Sequence, residues 1–196
     1  MKVIFFSACI LLCSYLLGSI NFTVIIFRLL GLDDPRMKFS GNPGTTNVYR
    51  KAGPFWAALV LVLDISRAGL VSIAALKLLP AQEVALAGFF LVLGNRYPCF
   101  HGFKGGKGVA NYMGFVLFII PVWGIIVTLL WPLIYKLVKI TFIPSFVIIT
   151  LMGIGLSLHF QFNPLFTATT AVTVLLIFAG HRKNVRQYIS REKRLD

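Results

Sequence analysis

The chain alternates long apolar runs with short polar joints. Seven apolar segments can be read, at about 3–30, 54–79, 84–96, 108–120, 122–138, 142–159 and 164–180. Two of them, 84–96 and 108–120, are short against the roughly 20 residues that a helix needs to cross a bilayer. Between these two runs Gly102-Phe103-Lys104-Gly105-Gly106-Lys107-Gly108. A glycine-rich loop carried by two short helices is expected at or below the membrane surface. Irregular backbone persists there only where protein covers it or where it lines a polar cavity. Its two lysines suit that cavity to an anion. Pro54, Pro121, Pro144 and Pro164 fall near segment starts, where a missing backbone N–H costs least, and Pro80 closes the second segment. The pattern predicts an all-α, polytopic membrane bundle of seven transmembrane helices, two of them short around the glycine-rich loop. With no low-complexity linker and no repeat, residues 1–196 read as one domain.

Composition agrees with a membrane protein: 58% of the 196 residues are hydrophobic, and 19 Lys and Arg face six acidic residues for a formal charge of +13. Such an excess could signal nucleic-acid binding. Here the charges sit in short joints and the tail between apolar runs, with no zinc-finger spacing and no basic stripe along a polar helix, so no nucleic-acid partner is expected. The lipid bilayer is the expected surrounding. At the N-terminus the apolar run continues past Cys9 to Leu30, which suits a retained helix better than a cleaved signal. Cys9, Cys13 and Cys99 have no metal-site spacing with histidines.

Orientation follows from the joints. With the N-terminus outside, the inner joints and tail hold Arg28, Arg36, Lys38, Arg50, Lys51, Arg96, Lys104, Lys107, Lys136, Lys139, Arg182, Lys183, Arg186, Arg191, Lys193 and Arg194. The outer side holds Lys2 and Lys77 alone, and Arg67 lies within the second segment. This asymmetry places the C-terminus and the glycine loop in the cytoplasm. A re-entrant hairpin formed by 84–96 and 108–120 would put the loop outside, carrying Arg96, Lys104 and Lys107 against the charge rule.

Three polar clusters then share the cytoplasmic side. The first, Ser40-Gly41-Asn42-Pro43-Gly44-Thr45-Thr46-Asn47-Val48-Tyr49-Arg50, is a tight turn with donors leading into a helix, suited to phosphate or carboxylate or to ordinary capping. The second is the central loop. It is not a Walker A motif, because Gly108 stands where Ser or Thr is required after Lys107. Its adjacent glycines allow close backbone approach to a ligand, although its lysines could equally meet lipid headgroups. In the third, His181-Arg182-Lys183-Asn184-Val185-Arg186, His181 and Asn184 share a helix face. Asp64 and Arg67, three apart inside an apolar segment, are expected to form a supporting ion pair. His101 is read as a loop histidine that neither ligates nor donates, and His159 as interfacial on the opposite face. No His-x4-Asp pair, no Gly-x-Ser-x-Gly elbow, no paired carboxylates and no metal cluster occur. A reaction here would rest on cations and hydrogen bonds that steady anions, with no metal or cofactor.

Taken together, Ser-Gly-Asn-x-Gly-Thr-Thr-Asn-Val-x-Arg at 40–50, Phe-Lys-Gly-Gly-Lys-Gly-Val-Ala at 103–110 and His-x-x-Asn at 181–184 resemble the three signature motifs of the bacterial acyl-phosphate:glycerol-3-phosphate acyltransferase family, often called PlsY. Leu-Gly-Ser-Ile at 17–20 and the Leu-Asp-x-x-basic pattern at 63–67 extend the likeness across nearly the whole chain. The resemblance implies a seven-helix protein of the bacterial inner membrane with a cytoplasmic active site. Its reaction would move a fatty acyl group from acyl phosphate to the 1-hydroxyl of sn-glycerol 3-phosphate, giving lysophosphatidic acid and phosphate without a covalent enzyme intermediate. It also implies Lys107, Lys104, Arg50 and His181 as catalytic residues. Ser40, Gly41, Asn42, Gly44, Thr46, Asn47, Gly105, Gly106, Ser145 and Asn184 would bind substrate. The hydroxyl proton would pass to His181 or to a substrate phosphate oxygen, and the lack of a carboxylate near His181 favours the phosphate.

The chain departs from the family at several positions. Gly94-Asn95 stands where the family usually has Gly-His, Arg67 replaces the usual lysine, and Gln187 and Arg191 replace a typical arginine and glycine. A transporter or binding protein for an anionic phosphorylated or lipid ligand, with broken helices at a mid-membrane site, is the alternative. It would call for inverted repeats and polar residues reaching both faces. A membrane scaffold would leave the glycine-rich motifs without a task.

Overall fold

A computed structural model of the chain describes residues 2–37 and 41–192. Ser40, with Lys38, Lys193 and Arg194, lies outside the described residues. All regular structure among the described residues is helical. The first apolar segment forms α1 (Lys2–Ser19) and α2 (Phe22–Leu29). A short amphipathic helix, α3 (Thr45–Ala52), precedes α4 (Pro54–Leu78). The two short helices are α5 (Val84–Arg96) and α6 (Val109–Ile119). Then come α7 (Pro121–Val138), α8 (Phe142–His159), α9 (Pro164–Gly180) and α10 (Arg182–Glu192).

All seven apolar segments are therefore helical, but they are not equally long. Four are long and apolar enough to cross a membrane: Ile4–Leu29, Pro54–Leu78, Pro121–Val138 and Phe142–His159. A fifth arises if α9 and the following helix, bent by 45°, count as one span. α5 and α6 have only 13 and 11 residues. Pro54, Pro121 and Pro164 each open a helix at its first turn, as their missing N–H allows. Pro132 lies inside α7 instead. There it removes the backbone donor that would reach the Thr128 carbonyl.

The bundle packs α1 against α5 and α4 against α6 most extensively. The α1–α5 crossing is set by glycine. A Cβ on Gly94 would overlap the Tyr15 carbonyl, and one on Gly18 would overlap the Leu91 carbonyl. Two backbones thus touch directly, as small residues permit between membrane helices. Leu91, Phe115, Ile149, Met152 and Phe166 fill the main core behind this contact.

The apolar run 3–30 is not one continuous helix. It breaks at Ile20–Asn21, because Asn21 turns its side chain back to cap α2, its Oδ1 accepting from the Val24 N–H at 3.1 Å. The carbonyls that the break frees go to one guanidinium. Arg67 Nη1 donates to the Leu17 carbonyl at 3.0 Å and also to that of Ile20. Arg67 Nη2 donates to Asp64 Oδ1 at 2.7 Å and to Asn111 Oδ1 at 2.5 Å. The expected Asp64–Arg67 pair is present, and it is the centre of a joint between α1, α4 and α6. A second stitch uses His101, whose Nε2 accepts from the Asn21 N–H at 3.3 Å. Arg36 Nη1 donates to the His101 carbonyl at 2.6 Å and is itself paired with Asp34. His101 thus has an accepting role in holding the central loop to the break, which its place in a loop did not suggest.

Replacing Arg67 with Gln leaves a buried carboxylate unpaired and should destabilise the bundle by about 3–5 kcal/mol. The melting temperature of detergent-purified protein reports this. The double variant Asp64→Asn/Arg67→Gln should melt above Arg67→Gln alone. A double variant no better than the single would contradict the ion-pair account.

Candidate active site

Antiparallel neighbours bring the α3 turn, the loop before α6, the start of α8 and the end of α9 to one end of the bundle. A pocket of about 340 Å³ opens there. Its polar wall gathers all three clusters: Asn42, Gly44 and Thr46 from the first, Gly106 and Lys107 from the second, and His181 from the third. Ser145 completes that wall from α8. Leu61, Val109, Met113, Trp131, Pro132 and Ile148 form an apolar wall beside it.

The first cluster is built as a turn. The Asn42 carbonyl accepts from the Gly44 N–H at 2.9 Å and from Asn47 Nδ2 at 2.9 Å. Asn47 is buried, and its Nδ2 braces the turn. Val48 is fully buried against Ile26, Phe27, Ala57 and Val60, which seats α3 on α2 and α4. This seating leaves Thr46 at the pocket mouth and carries Arg50, one turn on, to an exposed position outside the lining. Gly41 is exposed, with φ +65°.

The central loop folds back on the end of α5. The Gly106 N–H donates to the Asn95 carbonyl at 2.9 Å, and Arg96 Nη1 donates to the Gly106 carbonyl at 3.3 Å. A Cβ on Gly105 would overlap the Asn95 carbonyl, so this position has no room for a side chain. Gly108 opens α6 in the left-handed region at φ +87°, which disfavours the Ser or Thr that a Walker A loop would place here. The loop's two lysines part company. Lys104 is exposed and its carbonyl accepts from Arg36, whereas Lys107 turns inward.

Lys107 Nζ donates to Asn184 Oδ1 at 2.7 Å, and no described carboxylate pairs with it. Burial, reinforced by the Arg96 charge, pulls its ammonium down to about 8. His181, the cap just beyond α9, is 3% exposed. Burial, and then the Lys107 charge, push it down to about 4. Its Nδ1 lies 2.9 Å from the Ile177 carbonyl. A carbonyl can only accept, so Nδ1 carries the proton and Nε2 is left as an acceptor. Asn184 is half-buried outside the lining and acts on the pocket through Lys107. Ser145 Oγ accepts from Trp131 Nε1 at 3.2 Å and donates to the Thr141 carbonyl at 3.0 Å.

The site also includes residues that the sequence did not assign to substrate binding or catalysis. Asp64 and Asn111 reach the pocket while bonded to Arg67. Asn95, 6% exposed, and Trp131 line it as well. Polar residues inside apolar segments were the available signal for the first three; Trp131 offered none.

The family model described as glycerol-3-phosphate acyltransferase matches residues 8–191. A relative in Hydrogenovibrio crunogenus, itself described as a glycerol-3-phosphate acyltransferase, is 35% identical over 184 residues, covering 93% of this chain and 88% of the relative. Crystal structures of PlsY (YgiH), an integral membrane glycerol 3-phosphate acyltransferase, share this fold. The glycerol 3-phosphate form aligns with TM-score 0.86 at 31% identity over 94% of this chain and 92% of that one. The lysophosphatidic acid form aligns with TM-score 0.84 at 30% identity over the same shares. With a family match across almost its full length and a helical membrane architecture to go with it, this chain belongs to the glycerol-3-phosphate acyltransferase family.

Proposed function

We propose that the protein transfers a fatty acyl group from acyl phosphate to the 1-hydroxyl of sn-glycerol 3-phosphate, releasing lysophosphatidic acid and inorganic phosphate. The observation that carries this reading is a single pocket in which an unpaired, half-buried ammonium faces an apolar wall. An ammonium without a carboxylate partner in such a place is stabilised by a bound anion, and the apolar wall suits an acyl chain. The same pairing favours acyl transfer over carriage of a small anion. We read residues 1–196 as one domain of seven transmembrane helices, with the N-terminus outside and the C-terminus and pocket facing the cytoplasm of the inner membrane. The loop between the two short helices would then lie at that face.

In the proposed reaction Lys107 and Thr46 hold phosphate oxygens, Gly105 and Gly106 leave room for them in the loop, and Asn184 keeps the Lys107 ammonium pointed at them. Lys107 steadies the charge that grows on the leaving phosphate. Ser40 would add a hydroxyl donor, and Ser145 would do so on turning its hydroxyl away from the Thr141 carbonyl. Arg50 and Lys104, both exposed, would draw anionic substrates inward by their field. Acyl phosphate is already activated, so no enzyme nucleophile is required. His181 is held neutral and a poor base. The proton of the attacking hydroxyl therefore goes to a substrate phosphate oxygen: the O–H points at His181 Nε2 on binding and turns to that oxygen as the acyl bond forms.

Purified protein given acyl phosphate and glycerol 3-phosphate should release phosphate and lysophosphatidic acid in equal amounts, and acyl-CoA should give no product. Lys107→Ala should lower kcat/KM by about 10²–10³-fold, the scale of one lost oxyanion donor. An unaffected Lys107→Ala, or product from acyl-CoA at a similar rate, would overturn the proposal. The ammonium loses its proton as pH rises through about 8, so kcat/KM for glycerol 3-phosphate should be high below that value and fall above it. Lys107→Arg, whose group stays charged, should flatten that alkaline fall in a pH–rate profile whatever its absolute rate.

A further inference from the structure

Asn95 is a polar side chain with no task in the fold. It lies in the last turn of α5 at the pocket wall and is 6% exposed. Its main chain already holds the central loop, because the Asn95 carbonyl accepts the Gly106 N–H. Its carboxamide, in contrast, makes no hydrogen bond with the described residues. The amide lies directly across Gly106, where an added Cβ would come to 2.7 Å from Asn95 Oδ1. Lys107 and His181 line the same cavity. Neither amide atom is among the wholly enclosed unbonded polar atoms, so the carboxamide opens on the cavity, where polar groups held in a largely buried wall are there to be bonded by a ligand.

The chemistry of the amide says which part of the ligand. A carboxamide presents donors and an acceptor together. A phosphate dianion only accepts and would use the amide nitrogen alone, whereas the Lys107 ammonium offers it a full charge. A hydroxyl both donates and accepts, and it matches the carboxamide. Glycerol 3-phosphate carries two hydroxyls. The one on carbon 1 must give up its proton during acyl transfer, which leaves the one on carbon 2 for recognition. We infer that Asn95 is a specificity-determining residue that binds the 2-hydroxyl of the acceptor substrate. The inference rests on the acceptor proposed above.

The test compares glycerol 3-phosphate with 3-hydroxypropyl phosphate, which lacks the 2-hydroxyl, using wild type, Asn95→Ala and Asn95→Leu. The leucine variant keeps the volume should the alanine variant fail to fold. Wild type should prefer glycerol 3-phosphate by about tenfold in kcat/KM, the effect of one neutral hydrogen bond in a built site. Either variant should lose that factor on glycerol 3-phosphate while its rate on 3-hydroxypropyl phosphate stays within about twofold, so that the preference disappears. Equal use of both acceptors by wild type, retention of the full preference by the variants, or an equal fall on both acceptors would overturn the inference. Wild-type protein that acylates neither acceptor would instead overturn the proposed function itself, and the inference with it.

Discussion

The guanidinium of Arg67 is the joint on which the rest of the arrangement depends. A helix that breaks inside an apolar environment exposes carbonyls that lipid cannot satisfy. Arg67 gathers those of Leu17 and Ile20, and in the same plane it binds Asp64 and Asn111. One side chain therefore lets α1 end early and fixes α4 and α6 relative to the break. It also holds two pocket residues in position. The cation lies over the Phe22 ring at 5.0 Å, which covers its remaining face. A planar fork with five donors can serve this many acceptors, whereas a lysine ammonium could not serve them in one plane.

From that joint the pocket follows by geometry. The break redirects the chain into the turn that carries Asn42 to Thr46, and Arg36 and His101 tie the same region to the central loop. The loop in turn bends back on Asn95 and sets Lys107 inward. α10 contributes through Asn184, whose Oδ1 is the ammonium's neutral partner. A carboxylate in that place would satisfy the cation and close the site to anions. A carboxamide holds the ammonium in position and leaves its charge available. This is the electrostatic condition that a phosphate-binding pocket needs when it is half-withdrawn from water.

Much of this was legible in the sequence, and the failures have physical causes. The helical class and the seven apolar segments follow from hydropathy alone. The short lengths of α5 and α6 and the clustering of motifs at one end follow from spacing and loop charge. Asp64 and Arg67 announced themselves as charges in an apolar run. The break at Ile20–Asn21 did not, because a single asparagine in a long apolar stretch looks tolerable until its capping bond is seen. Lys104 and Lys107 are equivalent on paper, and only the backbone path around Gly105 and Gly108 turns one out and the other in. Arg50 shares a motif with Thr46, but the burial of Val48 fixes the helix so that only Thr46 lines the pocket. Asn95 was visible as a polar residue in an apolar segment and as a departure from the family pattern; its unbonded amide is a property of the fold.

The central claim is that the inward lysine of the glycine-rich loop holds the substrate phosphate at the end of the bundle. A crystal or cryo-electron structure of the protein with glycerol 3-phosphate tests this most directly. The account predicts the phosphate within hydrogen-bond distance of Lys107 Nζ, between the Thr46 turn and His181, with Asn184 still bonded to the ammonium. Phosphate bound at exposed Arg50 or Lys104, with Lys107 left empty, would contradict it.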